Sequence, residues 1–293
     1  MTATAPEHTN TVSDPDSRTA SRRPGTATAL RWEINKLAAG ARARYILLGC
    51  LLAPIAIVAV FHGQQQPPSD TIFGRQVNLS GYAMPLFVLA FTAQWVLPLL
   101  AALVAGDIFA SEDHHGTWKT ILTRSVSRTQ VFWAKTFTAV LFNLTALIVL
   151  AASTIIASVL IIGTQPLTGL TGQLIHGGSA LHVVIASWAT ASAPIIGFTA
   201  LAILLSVTTR NPAAGVAAPV VLGLIMQMLD NIGGFDLPRR FLLTTGFEAW
   251  HGLVTQHPFH GPLYTGFAVA TGWTAICLTA AYLHLRRRDI TGG

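Results

Sequence analysis

The stretch EDHHGTWKTILTRSVSRTQVFWAK, Glu112 to Lys135, places six charged residues between two long apolar runs. Those residues are Glu112, Asp113, Lys119, Arg124, Arg128 and Lys135. Each would cost about 2.5 to 3.5 kcal/mol at the centre of a bilayer. We therefore expect the stretch to lie in water and the flanking runs to be membrane spans.

The composition indicates a membrane protein. Only 10% of the 293 residues are charged and 52% are hydrophobic, whereas a soluble domain carries about 25% charged residues. The net charge of +6 does not indicate a nucleic-acid partner, because the basic residues flank apolar runs, where lipid headgroups and orientation rules explain them. Cys50 and Cys277 lie inside apolar runs and form no CxxC pair, so we interpret them as core residues.

Six apolar runs are long enough to cross a hydrocarbon layer, which takes about 20 helical residues. The runs are Tyr45–Phe61, Ala83–Ala105, Thr136–Ile162, Val183–Val207, Ala213–Leu229 and Leu263–Leu285. Asn211 and Pro212, in TTRNP, mark a tight turn between the fourth and the fifth. The predicted fold is an all-α membrane protein with six transmembrane helices.

Lysine and arginine predict the orientation. Fifteen of the 18 lie on the N-terminal side of the predicted membrane, all but Arg75, Arg239 and Arg240. Basic residues are enriched in cytoplasmic loops. We therefore expect a multi-pass protein of a bacterial plasma (inner) membrane with both termini in the cytoplasm.

The N-terminal 44 residues divide into two parts. Residues 1–28 are rich in Thr, Ser, Ala and Pro and predict a disordered cytoplasmic tail. Residues 29–44 predict an amphipathic interfacial helix, whose apolar stripe is Leu30, Ile34, Leu37 and Ala41. A straight extension of the first span is the alternative. The six-span transmembrane domain would then occupy residues 45–285, and residues 286–293 would form a basic cytoplasmic tail.

Helix signals divide the opening stretch. Gly116 favours the end of a helix that continues the second span, and Thr117 can cap a short new helix. That helix would carry Trp118, Ile121 and Leu122 on one face. Ser127 and Gln130 fit a capping box, so that the third span would begin as a helix at Arg128. On pattern alone, an ordinary basic cytoplasmic loop is the favoured interpretation, because loops with four basic residues are common.

The longer stretch GDIFASEDHHGTWKTILTRSVSRTQVFWAK, residues 106–135, resembles the ABC-2 type permeases of ATP-binding-cassette exporters. The matching positions are Glu112, Gly116, Thr117, Leu122, Ser127, Arg128 and Lys135. The ending LRRRDITGG, residues 285–293, is similar to the basic ending of many such permeases. Ser125 stands where the family usually has proline, so the turn there is expected to be looser.

The resemblance implies a transport subunit that pairs with ABC ATPase subunits and with a second permease copy or a paralogue. Its loop between spans two and three would be a coupling helix seated on the ATPase. The residues expected to couple are Glu112, Gly116, Thr117, Trp118, Leu122, Arg128 and Lys135. The sequence has no GxxxxGK[ST] phosphate loop, so ATP and Mg²⁺ would be used by the partner ATPase, and this chain would bind no cofactor and act as no enzyme.

Two other function classes stay open at this point. A membrane anchor could bind a soluble enzyme through the same loop without transporting anything. A secondary carrier is the other class, but no acidic residue lies in the middle of a predicted span, whereas proton-coupled carriers usually use intramembrane carboxylates.

Four polar residues inside the predicted spans are candidates for lining a substrate path. They are Gln94, Asn143, Ser192 and Gln227. Hydrogen bonds between helices, worth about 0.6 kcal/mol on average, explain them without any substrate.

The segment between spans five and six, residues 231–262, is predicted to be extracellular. Its acidic and histidine residues, Asp236, Glu248, His251, His257 and His260, lack a recognised metal-ligand spacing, so no metal site is predicted. The stretch FLLTTGFEAWHGL, residues 241–253, predicts a helical segment that is re-entrant or lies on the surface. Phe247 and Trp250 would lie at the outer membrane interface.

Overall fold

Six long helices dominate the computed structural model, which describes residues 26–64, 71, 73–118, 127–230 and 236–287. Each is long and apolar enough to cross a membrane. They are α2 (Ala41–His62), α3 (Ala83–Ala105) continued by α4 (Ala110–His114), α5 (Arg128–Ile161), α6 (Gly177–Thr190) continued by α7 (Ser192–Thr209), α8 (Pro212–Asp230) and α10 (Gly261–Arg287). The predicted mostly helical, six-span membrane protein is confirmed.

Shorter elements complete the described chain. They are α1 (Thr26–Ala39), α9 (Asp236–Arg239), two 3-10 helices (Gly74–Gln76 and Thr244–Val254) and the strands β1 (Leu167–Thr168) and β2 (Leu174–Ile175). The two strands pair antiparallel, with Leu167 opposite Ile175. Most of the predicted disordered tail and most of the basic tail lie outside the described residues.

The connections between the long helices gather at two opposite ends of the bundle. At the end that carries α1, called here the basic end, the backbone N–H groups of Phe109 and Ala110 donate to the Ser206 hydroxyl. At the other end, called the hairpin end because it carries β1 and β2, the Gly81 N–H donates to the Gly163 carbonyl over 3.2 Å. Consecutive long helices therefore run in alternating directions, as a six-span chain requires.

The turn predicted at Asn211 and Pro212 is confirmed. Pro212 is the first residue of α8, where its missing N–H removes no helical hydrogen bond. The Asn211 side chain accepts a hydrogen bond from the Ala213 N–H at 2.9 Å, which satisfies a donor that the helix start leaves open.

The helices α3 and α7 form the centre of the bundle, and α2 and α10 lie at its edges. Leu89 and Leu97 of α3 and Phe198 of α7 are fully buried. In contrast, Leu52 of α2 and Ile276 of α10 expose half or more of their surface. An exposed surface this apolar suits contact with acyl chains.

The predicted amphipathic helix over residues 29–44 is two helices in the structure. Gly40 is extended (φ −69°, ψ 131°) and separates α1 from α2, so residues 41–44 belong to the first long helix and a straight extension is wrong. The Arg44 guanidinium donates to the carbonyl groups of Ala38 and Ala39 at 3.1 and 3.0 Å. These bonds satisfy acceptors that the end of α1 leaves open, and the break is therefore stabilised locally.

The second correction concerns the 3-10 helix Thr244–Val254. Phe247 and Trp250 are 1% and 0% exposed, so the prediction that they lie at a membrane interface is wrong. Phe247 stacks on Phe198 of α7 with ring centroids 5.8 Å apart, and Trp250 packs against Phe73 at 5.6 Å. The apolar contacts available inside the bundle explain why these aromatic rings are buried.

One glycine pair at the basic end leaves no room for a side chain. A Cβ atom on Gly215 would lie 2.2 Å from the Gly106 carbonyl oxygen, whereas a Cβ on Gly49 of α2 would meet nothing within 4 Å. We expect Gly215→Ala to destabilise the protein by about 1 to 3 kcal/mol, because the backbones must separate. Gly49→Ala should leave the stability unchanged or raise it, because alanine favours helix. Melting temperatures in detergent test this, and an equal fall in both variants would contradict the close approach.

Candidate functional site

A buried ammonium group joins three segments at the basic end. Lys135 lies two turns into α5 and is 1% exposed. Its Nζ is 2.8 Å from Glu112 Oε1 of α4 and 3.1 Å from Glu33 Oε2 of α1. Both carboxylates are themselves buried. One cation therefore holds α1 and α4 against α5.

Glu112 has further partners on its own side of this cluster. The Lys36 Nζ is 2.5 Å from Glu112 Oε1, and the Thr117 hydroxyl donates to Glu112 Oε2. With Glu33 and Lys135, the cluster contains two carboxylates and two ammonium groups, so its formal charge is zero. Such balance is needed, because an uncompensated charge is costly once it is removed from water. We call these four charged residues the ion network.

A second ion pair ties the start of α2 to the turn between α3 and α4. The Arg42 Nη1 is 2.5 Å from Asp107 Oδ2. The guanidinium is more than half exposed, so this pair contributes less to stability than the buried network does. Together the two sets of ion pairs hold residues 107–117 from the side of α1 and α2.

Ser206 of α7 holds the same turn from the opposite side. Its buried hydroxyl oxygen accepts from the N–H groups of Phe109 at 3.1 Å and Ala110 at 3.0 Å. These two N–H groups lie at the start of α4, where no helical carbonyl is available to them. The turn is therefore fixed to α7 by its backbone and to α1 and α5 by its side chains.

The end of α4 has the geometry that the sequence predicted. Gly116 adopts the left-handed conformation with φ +64°. Its N–H donates to the Asp113 carbonyl at 3.2 Å, and the Thr117 N–H donates to the Glu112 carbonyl at 3.1 Å. These two bonds form a Schellman motif, for which glycine is the favoured residue. The chain consequently turns sharply away from the helix axis after His115.

Trp118 returns the chain to the protein interior immediately afterwards. Its ring is buried and stacks on Phe109 with centroids 6.4 Å apart. Residues 119–126, which include Leu122 and most of the predicted short helix, lie outside the described residues.

The predicted capping box at the start of α5 is confirmed. The Gln130 N–H donates to Ser127 Oγ at 3.2 Å, and the Ser127 N–H donates to Gln130 Oε1 at 2.9 Å. The following residue, Arg128, donates from Nη1 to the Arg286 carbonyl near the end of α10 at 3.4 Å. Segment 119–126 is therefore flanked by two fixed points, Trp118 and Ser127.

The structure places the predicted coupling residues in two groups. Glu112, Thr117, Trp118 and Lys135 form contacts inside the protein. Gly116 is exposed and Arg128 is partly exposed. Glu112, Trp118 and Lys135 are buried, whereas Thr117 is partly exposed. Contact with an ATPase stays a prediction for all of the coupling residues.

The four path candidates do not form one site. The Asn143 Nδ2 donates to Thr199 Oγ1 at 2.9 Å and joins α5 to α7. The Ser192 hydroxyl donates to the carbonyl of Ala189, three residues earlier in the chain. Helix contacts explain both. Gln94 differs, because its amide reaches the Glu248 carboxylate at 3.4 Å.

Gln94 and Gln227 lie along the same helix contact. A Cβ on Gly223 of α8 would lie 3.4 Å from Pro98 of α3. Since the two helices are antiparallel, moving four residues towards the hairpin end leads from Pro98 to Gln94 and from Gly223 to Gln227. Both glutamines therefore lie one turn beyond that contact, towards Glu248.

Sequence reasoning missed Glu33, Asp107 and Ser206. A signal existed for Glu33, because it lies about 60° from Leu30 around the helix and so borders the apolar stripe. A carboxylate at that edge becomes buried when the stripe packs. For Ser206, no local pattern distinguishes a hydroxyl that binds backbone from any other serine in an apolar run.

Comparison with known proteins gives one family. Residues 29–229 match the model of the family described as ABC-2 family transporter protein. No curated protein matches the chain. The matched region begins in α1 and continues through α8, and it therefore contains the entire ion network.

Charge balance in the ion network predicts the effect of removing Lys135. Lys135→Met leaves the Glu33 and Glu112 carboxylates buried with only Lys36 nearby, and it should cost about 3 to 5 kcal/mol. Lys36→Met removes a half-exposed partner of the same carboxylate and should cost less. The check is the melting temperature of each purified variant, and equal losses would contradict the central role of Lys135.

A second substitution should partly restore the stability of Lys135→Met. Adding Glu33→Gln removes the carboxylate that has lost its partner and leaves Glu112 paired with Lys36. We expect the double variant to melt at a higher temperature than Lys135→Met alone. If it melts at the same temperature or lower, the loss in the single variant comes from altered packing and not from unpaired charge.

Proposed function

The chain belongs to the ABC-2 family of transporter proteins, and we propose that it is the transmembrane permease subunit of an ATP-binding-cassette exporter. In this proposal a separate ATPase binds ATP and Mg²⁺ and supplies the energy. Two such ATPase subunits and a second permease, either a copy or a paralogue, complete the transporter. The six apolar helices support the permease role.

The attachment of the loop between α3 and α5 carries the proposal. Ion pairs connect it to α1 and α5, the Ser206 hydroxyl connects it to α7, and Trp118 anchors it in the core. A force applied to residues 116–128 would therefore reach several helices at once. An ordinary loop that only joins two spans needs none of these attachments.

We assign the predicted coupling residues two roles within this scheme. Gly116, Leu122 and Arg128 contact the ATPase or shape the contact surface. Glu112, Thr117, Trp118 and Lys135 position the loop and pass its movement to the helices. Alternating movement of the two permeases would then open the substrate path first to one side of the membrane and then to the other.

The proposed orientation places the basic end in the cytoplasm of a bacterium. Nine of the 12 lysine and arginine residues that the structure describes lie at or beside that end, and the positive-inside rule favours this arrangement. The hairpin end then lies on the outer side, and the substrate leaves there.

Copurification tests the proposed function. The tagged chain is extracted from its native membranes in mild detergent, and its partners are identified by mass spectrometry. We expect an ATPase with a GxxxxGK[ST] phosphate loop. Gly116→Val should lose it, because a β-branched residue is strained at φ +64°. Gly116→Asn should retain it, because asparagine tolerates the left-handed conformation.

Two results would overturn the proposal. A soluble enzyme of another class in place of the ATPase would identify the chain as a membrane anchor. Equal recovery of the ATPase with Gly116→Val and Gly116→Asn, at equal expression, would show that this loop is not the coupling site.

A further inference from the structure

The segment between α9 and α10 extends to the middle of the bundle. The Trp273 Nε1 donates to the Phe241 carbonyl at 2.8 Å, and Trp273 lies 12 residues inside α10, about 18 Å from its start. Gln94, whose amide donates to Glu248, lies 11 residues inside the 23 residues of α3, about 16 Å from its start. Phe241 therefore lies well inside the bundle, and the chain then returns towards the hairpin end, since Gly246 packs against Gly266, five residues inside α10.

This arrangement brings an ionisable pair inside the bundle. The Glu248 Oε2 is 3.0 Å from the His251 Nδ1, and its Oε1 accepts from the Gln94 amide at 3.4 Å. The Trp250 ring packs against the His251 ring with centroids 3.9 Å apart. We call Gln94, Glu248 and His251 the mid-bundle cluster.

The mid-bundle cluster is accessible. The side chains of Glu248 and His251 are 34% and 38% exposed. In a membrane, ionisable side chains face a bundle interior or a water-filled cavity, because contact with acyl chains costs several kcal/mol. The exposed surface of this pair therefore has to face water or a polar partner, although the apolar surface around it suits lipid.

A guanidinium on the same segment is bonded to another carboxylate, although its positive charge also acts on Glu248. The Arg239 Nε is 2.5 Å from Asp230 Oδ1 at the end of α8. Among the described residues, the side chains that donate to the Glu248 carboxylate are Gln94 and His251. The contact between the Gln94 amide and the Glu248 carboxylate is long for a hydrogen bond.

We propose that the mid-bundle cluster lines the transport path and that Glu248 binds a cationic group of the substrate, such as an ammonium. His251 would occupy this carboxylate when no substrate is present, and the substrate cation would replace it. The inference rests on the proposed export function and adds a substrate class to it. The predicted spans contain no acidic residue in their middle, but Glu248 enters the bundle from a loop and contacts Gln94 of α3.

A thiol reporter next to the carboxylate tests the proposal. His251→Cys is introduced into the complete transporter together with Cys50→Ala and Cys277→Ala. These two replacements remove the native thiols of this chain, which are both buried, so that the reporter is the thiol that reacts. Two charged reagents are applied from outside, 2-(trimethylammonium)ethyl methanethiosulfonate and 2-sulfonatoethyl methanethiosulfonate. We expect the cationic reagent to react faster, and Glu248→Gln should lower the ratio of the two rates about tenfold or more, because a unit charge only a few ångströms away is removed.

The control is a cysteine on the surface that faces lipid. Ile276 of α10 is 68% exposed and lies 15 residues inside its helix, so Ile276→Cys should react with neither reagent. Gln94→Cys serves as a second reporter on the other side of the carboxylate if His251→Cys lowers the yield of folded protein.

Each outcome decides one part of the proposal. A reporter as unreactive as Ile276→Cys overturns the placement of the mid-bundle cluster on the path. A reactive reporter whose rate ratio ignores Glu248→Gln overturns the cation assignment. Copurification of the ATPase is measured on the same variants, and it shows separately whether the proposed function holds.

Discussion

The need to pair every charge that leaves water governs how this chain assembles. Lys135 is almost completely buried between two carboxylates from other segments, and without it Glu33 would be buried with no ion-pair partner in the ion network. As a consequence, α1 has to dock before the basic end is complete, although α1 is not one of the six long helices. The position of the loop between α3 and α5 depends on that docking, because Glu112 is shared between Lys36 and Lys135.

The same requirement gives the opposite result at Glu248. This carboxylate also contacts the middle of a long helix, through Gln94 of α3, but its partners are an imidazole and an amide, and a third of its surface stays exposed. The ion network is closed and neutral, which suits a mechanical connection that must not come apart. The mid-bundle cluster is partly exposed, which suits a group that exchanges partners.

The sequence was sufficient where a local rule decides the structure. Hydropathy located all six long helices, the Ser127 and Gln130 pair located the start of α5, and Gly116 located the end of α4. These signals act within a few residues. The contact between Glu33 and Lys135 spans 102 residues, and no periodicity in one helix can show which distant helix its charged edge will meet.

The burial of Phe247 and Trp250 shows a different limit of sequence reasoning. Aromatic residues beside a span favour an interface on average, but here the rings of Phe198 and Phe73 provide closer packing inside the bundle. The placement of Glu248 follows from that packing, since its neighbour Phe247 is held against α7. A loop assigned to the outer surface from sequence can therefore carry its polar residues to the height at which a transported molecule has to pass.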